Sequence, residues 1–146
     1  MSVKVVEAAL YARLTGDATL MSLVGQGVWN TDRPLEENLD FSQPLTWVYF
    51  VVERGGDTND ATGERFKEII VRVMACAHFT LSLTDALTID ERLDALLTGW
   101  EPTLSGWPNV WGFDREETMQ VIVTGEDDAV LEWQAGATYS LGYGTG

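Results

Sequence analysis

The chain has 146 residues, 45% hydrophobic and 22% charged, with 9 Lys and Arg against 23 Asp and Glu for a formal charge of −14. That is one domain, residues 1–146, able to bury about 70% of the surface its unfolded form exposes. The acidity argues against a surface that grips phosphates or anionic lipid, the single cysteine, Cys76, rules out an internal disulfide, and no apolar run reaches membrane-spanning length. The opening Met1 to Glu7 has no uninterrupted apolar stretch of the signal-peptide kind. A soluble, reducing, intracellular setting is therefore expected.

In chain order, the spacing of Val3, Val6, Leu10 and Leu14 predicts a first helix, ended by Gly16 in a left-handed C-cap. Asp17 is a natural N-cap for a short second helix through Leu20, Leu23 and Val24, closed by Gly25. Residues 26–44 read as loop, with a short strand at Val28-Trp29. Leu45 to Arg54 is β-branched and aromatic, a strand apolar on both faces. Residues 55–65, GGDTNDATGER, read as a mobile loop. Glu68 to Phe79 alternates cleanly, with Ile69, Val71, Val73, Ala75, Ala77 and Phe79 on one face.

A third helix follows and ends near Leu97, capped by Gly99. Ser82 or Thr84 is a candidate N-cap, and Thr88 to Glu91 fits a capping box. Started early, this helix places Asp90 inside its own buried stripe. Residues 100–111, with two prolines and three tryptophans, read as an ordered loop. Thr118 to Thr124 and Ala129 to Leu141 are two further strands, and residues 143–146 a frayed tail. The order α-α-β-β-α-β-β implies an α+β fold, a mostly antiparallel sheet with helices packed on one face. Its long strands leave edges that a second subunit could cover.

Candidate chemistry is thin. Cys76 and His78 share a strand face, but neighbours two apart stand too far from each other to rely on a thiolate–imidazole bond. One Cys and one His cannot complete a zinc site. Asp57 to Glu68 faintly resembles a calcium loop, yet Ala61 and Thr62 occupy positions that need a ligand and a glycine. The acidic pairs Asp90/Asp94, Glu116/Glu117 and Asp127/Asp128 read as a solvated face among 23 carboxylates. No P-loop, dinucleotide fingerprint or nucleophile elbow occurs. No catalytic residue, cofactor or metal is therefore expected. Six tryptophans, Trp29, Trp47, Trp100, Trp107, Trp111 and Trp133, suit a core with an interface. Stacking platforms for sugars, in a carbohydrate or small-ligand module, are the alternative.

The opening VEAALYARLTGDATLMSLVGQGVW resembles the tail-terminator (tail-completion, head–tail joining) proteins of long-tailed bacteriophages. The likeness continues through Pro44-Leu45 to Val52, the turn Thr62-Gly63-Glu64-Arg65, the strand Ile69 to Ala75 and the helix closing on Leu96-Leu97 and Gly99, covering residues 5–99. The tryptophan-rich loop and the long final strand depart from it. What the resemblance implies is an α+β subunit of a virion, assembled in the host cytoplasm into a ring, usually a homohexamer. Such a ring caps the tail tube, stops its polymerisation and joins it to the head connector, while DNA passes through the lumen unbound. Neither catalysis, cofactor nor membrane is implied. For such a ring, contacts are expected at Asp57, Asp60 and Arg65 in the loop, at Trp100, Trp107 and Trp111, and at Trp133 and Tyr139 in the last strand, offered to a neighbour's sheet edge.

Overall fold

Helix α1 (Val3–Thr15) forms where its apolar stripe predicts, and Val6, Leu10 and Leu14 are all buried. The computed structural model describes residues 3–59, 65–107 and 109–144. Gly16 ends α1 without the left-handed backbone expected of it. Its glycine serves close approach instead, since a Cβ there would stand 2.8 Å from the Ala12 carbonyl oxygen. Asp17 caps α2 (Ala18–Leu23) by accepting from the Leu20 N–H at 2.8 Å. Gly25 lies so close to the Pro44 backbone that no side chain fits between them.

Five strands follow the order β1-β2-β3-β5-β4: β1 (Val28–Asn30), β2 (Thr46–Asn59), β3 (Arg65–His78), β4 (Asp114–Thr124) and β5 (Val130–Gly144). Among the described residues only the short β1 runs parallel to its neighbour, β2. The remaining pairs are antiparallel. Register aligns Phe50 with Val73 and Val73 with Ala137, so the apolar residues of three strands share one face. Helices α1, α2 and α3 (Leu83–Leu97) contribute to the same buried cluster as that face. This is the expected α+β architecture, with the helices on one side of a mostly antiparallel sheet.

Several boundaries move. Residues 55–65 are not a loop throughout: after a register shift between Arg54 and Asp57, Asp57 pairs with Lys67 and Asn59 with Arg65. Antiparallel pairing satisfies backbone groups whatever the side chains are, so a polar composition does not stop it. Residues 60–64 lie outside the described ones. Tyr143 and Gly144 are likewise strand rather than frayed tail, paired with Lys67 and Phe66. Strand β4 begins at Asp114, four charged residues before the expected start, because Asp114, Arg115 and Glu117 all pair with β5. Strand β5 is interior, between β3 and β4, and so has no edge to lend a neighbour.

Helix α3 takes Ser82 as its N-cap, with the Ser82 N–H donating to the Asp85 carboxylate at 2.9 Å. The other capping candidate lies mid-helix, where the Thr88 hydroxyl donates to the Thr84 carbonyl at 3.0 Å. Gly99 holds the left-handed φ of 79° that a helix end favours.

Candidate functional site

The sheet face that carries no helix is where the chain concentrates its unusual side chains. Trp47, Met74 and Cys76 form a small buried cluster there, flanked by Trp29, Tyr49 and Met119. The segment 31–44 runs from β1 to β2 as a strap tied to this face at two points. Arg33 ion-pairs with Glu132 of β5 and sits over the Trp47 ring, 5.8 Å from its centroid. Glu36 lies 3.0 Å from His78 Nε2, and Thr80 Oγ1 lies 2.9 Å from His78 Nδ1. Glu132 is only 1% exposed and also accepts from Gln134 Nε2 at 3.3 Å.

These contacts decide the chemistry of Cys76 and His78. Both face the same way, as alternation requires, but the histidine is committed to Thr80 and Glu36. Burial pushes the Cys76 thiol well up, and the nearby Glu132 carboxylate adds to the rise. A thiol held protonated is a poor nucleophile. Cys76 packs in the buried cluster of this face, and His78 is tied to Glu36 and Thr80. Among the described residues no three His, Cys, Asp or Glu side chains stand close enough to hold a metal ion. The suspected calcium loop has its centre outside the described residues.

On the helical face a second polar knot joins α3 to the β4–β5 hairpin. Arg115 donates to both carboxylate oxygens of Asp90, at 3.1 and 2.9 Å, and to the Tyr139 hydroxyl at 2.9 Å. Asp90 is the acid that the early helix start placed in the buried stripe, and this is its partner. The hydrogen bonds to Asp90 raise the Arg115 pKa further above its ordinary value. Burial pushes the Tyr139 phenol up to about 12, against the opposing pull of the guanidinium.

The tryptophans are spent mostly inside the chain. Trp100 stacks on Phe113 at 5.4 Å with Arg13 over its ring, and Trp107 meets Tyr143 edge-on at 5.1 Å. Trp133 packs against the small residues Ala77, Ala86 and Ala135. The loop that carries three of them is ordered, as expected, through a Val110–Tyr143 bridge and a Trp111 N–H bond to the Gly142 carbonyl at 2.9 Å. Of the contact positions expected from sequence, Trp111 is 53% exposed, while Trp100, Trp107 and Trp133 are half-buried. Tyr139 is a correction: it lies in the core, held there by the apolar register of β5, and offers nothing to a neighbour. Asp57 and Arg65 lie on paired backbone of β2 and β3, and Asp60 falls outside the described residues.

What sequence reasoning missed is which strand holds the free edge. Among the described residues, strand β4 pairs on one side only and is exposed along most of its length. Around it stand the exposed apolar side chains Val121, Ile122 and Leu131. The alternation of Met119, Val121 and Val123 marked a strand, but only the sheet order shows that this strand is outermost.

No family model matches the chain, and no curated protein does. Solved structures do share the fold. One is a chain from the virion of a native gene transfer agent particle, at 18% identity, with 98% of this chain and 100% of that chain covered and a TM-score of 0.64. A second solved chain gives 17% identity, with 100% of this chain and 98% of that chain covered and a TM-score of 0.60.

Proposed function

We propose that this chain is a structural protein of a phage-like virion, and within that class a ring-forming tail terminator. The observation that carries the reading is the end-to-end likeness of its fold to a chain of a gene transfer agent virion. The sequence resemblance to tail terminators is the independent support for the finer role. As such a subunit it closes a homohexameric ring on the finished tail tube, stops tube growth and presents a face to the head connector. Nothing in this role needs catalysis, and the raised Cys76 thiol and the strapped His78 suit packing rather than turnover.

The charge fits a conduit. Six copies of a −14 chain carry about −84, so DNA in the lumen is repelled rather than held. Exposed carboxylates gather at both ends of the β4–β5 hairpin: Asp114, Glu116 and Glu117 at one, Glu126, Asp127 and Asp128 at the other.

Native mass spectrometry at physiological salt, followed by negative-stain imaging, tests the reading. Closed rings of six that bind the ends of purified tail tubes are the expected result. A chain that never forms rings, alone or with tubes, overturns the terminator role. A virion role at another position would then be sought by locating the chain in the particle.

A further inference from the structure

The sheet has two outer strands, and they are guarded very differently. Strand β1 is three residues long and is followed at once by Thr31, whose φ of 65° turns the chain away. Strand β4 is eleven residues long. Natural edges are protected by charge, proline, bulges or brevity. The stretch Thr118 to Thr124, TMQVIVT, has no charge and no proline, and the two register shifts of β4 fall outside or at the limits of it, between Arg115 and Glu117 and between Val123 and Thr124. On it Val121 is 40% exposed and Ile122 53%, with Leu131 48% exposed on the adjoining strand.

The geometry points to a second copy of this chain as the partner of that edge, joined antiparallel about a two-fold axis through Val121. Length and an uncharged, self-matching register select the occupant. The other edge of the sheet, at three residues, is too short to match, whereas β4 matches itself. In this register Thr118 opposes Thr124, Met119 opposes Val123, Gln120 opposes Ile122 and Val121 opposes its own copy. Met119, Val121 and Val123 share one face, so apolar meets apolar across the junction. No charged pair faces another within the stretch Thr118 to Thr124. Glu116 and Glu126, which would oppose each other, fall beyond it at the rim.

A two-fold contact is isologous and cannot by itself close a ring. It is therefore a separate contact from the one that builds the proposed ring: the form in which the free chain covers its unguarded edge. Because both copies are strongly acidic, screening favours the pair, so the dimer tightens as salt is raised.

Sedimentation of the full chain over a concentration series, at low and high salt, reads the contact. A monomer–dimer equilibrium that strengthens with salt is expected. In Val121→Lys, which sets two ammonium groups opposite each other at an exposed position, the dissociation constant weakens at least about tenfold, with the thermal melt unchanged at concentrations where the native chain is monomeric. Val121→Cys gives a covalent dimer on mild oxidation, whereas Cys76, being buried, leaves the native chain uncross-linked. A native chain that is monomeric throughout overturns the inference, as does a dimer that survives Val121→Lys or a Val121→Cys variant that does not cross-link. Closed rings without any such dimer leave the ring reading standing and remove this one. A dimer broken by Val121→Lys, in a chain that never forms rings, does the reverse.

Discussion

Asp17 shows how one side chain can serve two elements. It caps α2 through the Leu20 N–H and binds Arg92 of α3 at 2.9 and 2.6 Å. The Arg92 hydrogen bonds, with the Leu20 N–H second, hold its carboxyl down at about 2 against an ordinary 3.8. A depressed carboxyl contributes stability that is present above the ordinary pKa and is lost as pH falls through the folded one. Asp17→Asn is therefore less stable than the native chain at about pH 6, and the gap closes between about pH 4 and pH 2. Denaturant melts at those pH values check this. Asp17→Ala also loses the cap, at a cost of about 1 kcal/mol. At Arg115 the burden differs, because Asp90 is buried and depends on it. Arg115→Met strands that carboxylate, and we expect a loss of about 3 kcal/mol in urea unfolding. Asp90→Asn in the same background recovers part of it, since the stranded charge is gone.

At the scale of elements, the strands show what composition could and could not say. The alternation of Ile69 to Ala77 foretold both the existence and the inward face of β3. It foretold nothing of where pairing stops, so the polar arms of β2 and β3 read as loop. Their backbone groups are paired because two long strands already run side by side, and each further pair then costs little. The same pairing draws Asp114 to Glu117 into β4 despite their charge. Crossing points carry their own demands. Gly136 on β5 lies against β3 so closely that a Cβ would stand 2.7 Å from Met74 Sδ and closer still to the Val73 carbonyl. Backbone cannot yield as a flexible side chain does. Gly136→Ala should accordingly destabilise the chain by about 1–3 kcal/mol, measured by urea unfolding, with β3–β5 the first amides to lose exchange protection.

For the whole molecule the ruling quantities are charge and the sheet order. A pI near 4.2 keeps separate chains apart at neutral pH, so any assembly works against a long-range repulsion. The proposed ring should then close more readily as ionic strength rises from about 50 to 500 mM, where the screening length falls severalfold. The order β1-β2-β3-β5-β4 encloses the last strand and leaves the one before it bare. The last strand, expected to reach a neighbour's sheet edge, is therefore enclosed, and the open edge belongs to β4. The strap 31–44 could not be foreseen at all. Arg33 and Glu36 lie in a stretch without periodicity, and Glu132 and His78 meet them only because β3 and β5 are neighbours.

Residue patterns alone carry the α+β class, the three helices, the inward faces of the strands and the acidity. Each is a local or additive property: a period of 3.6 or 2, a capping residue, a sum of charges. Asp90, read with Asp94 as part of a solvated face, is instead buried. The packing of distant segments settles that Arg115 answers Asp90, that Glu132 lies buried beneath Arg33, and that β4 holds the open edge. Those facts depend on which strands are neighbours, and pairing between distant segments is set by the packing of the whole chain rather than by the residues of either strand alone.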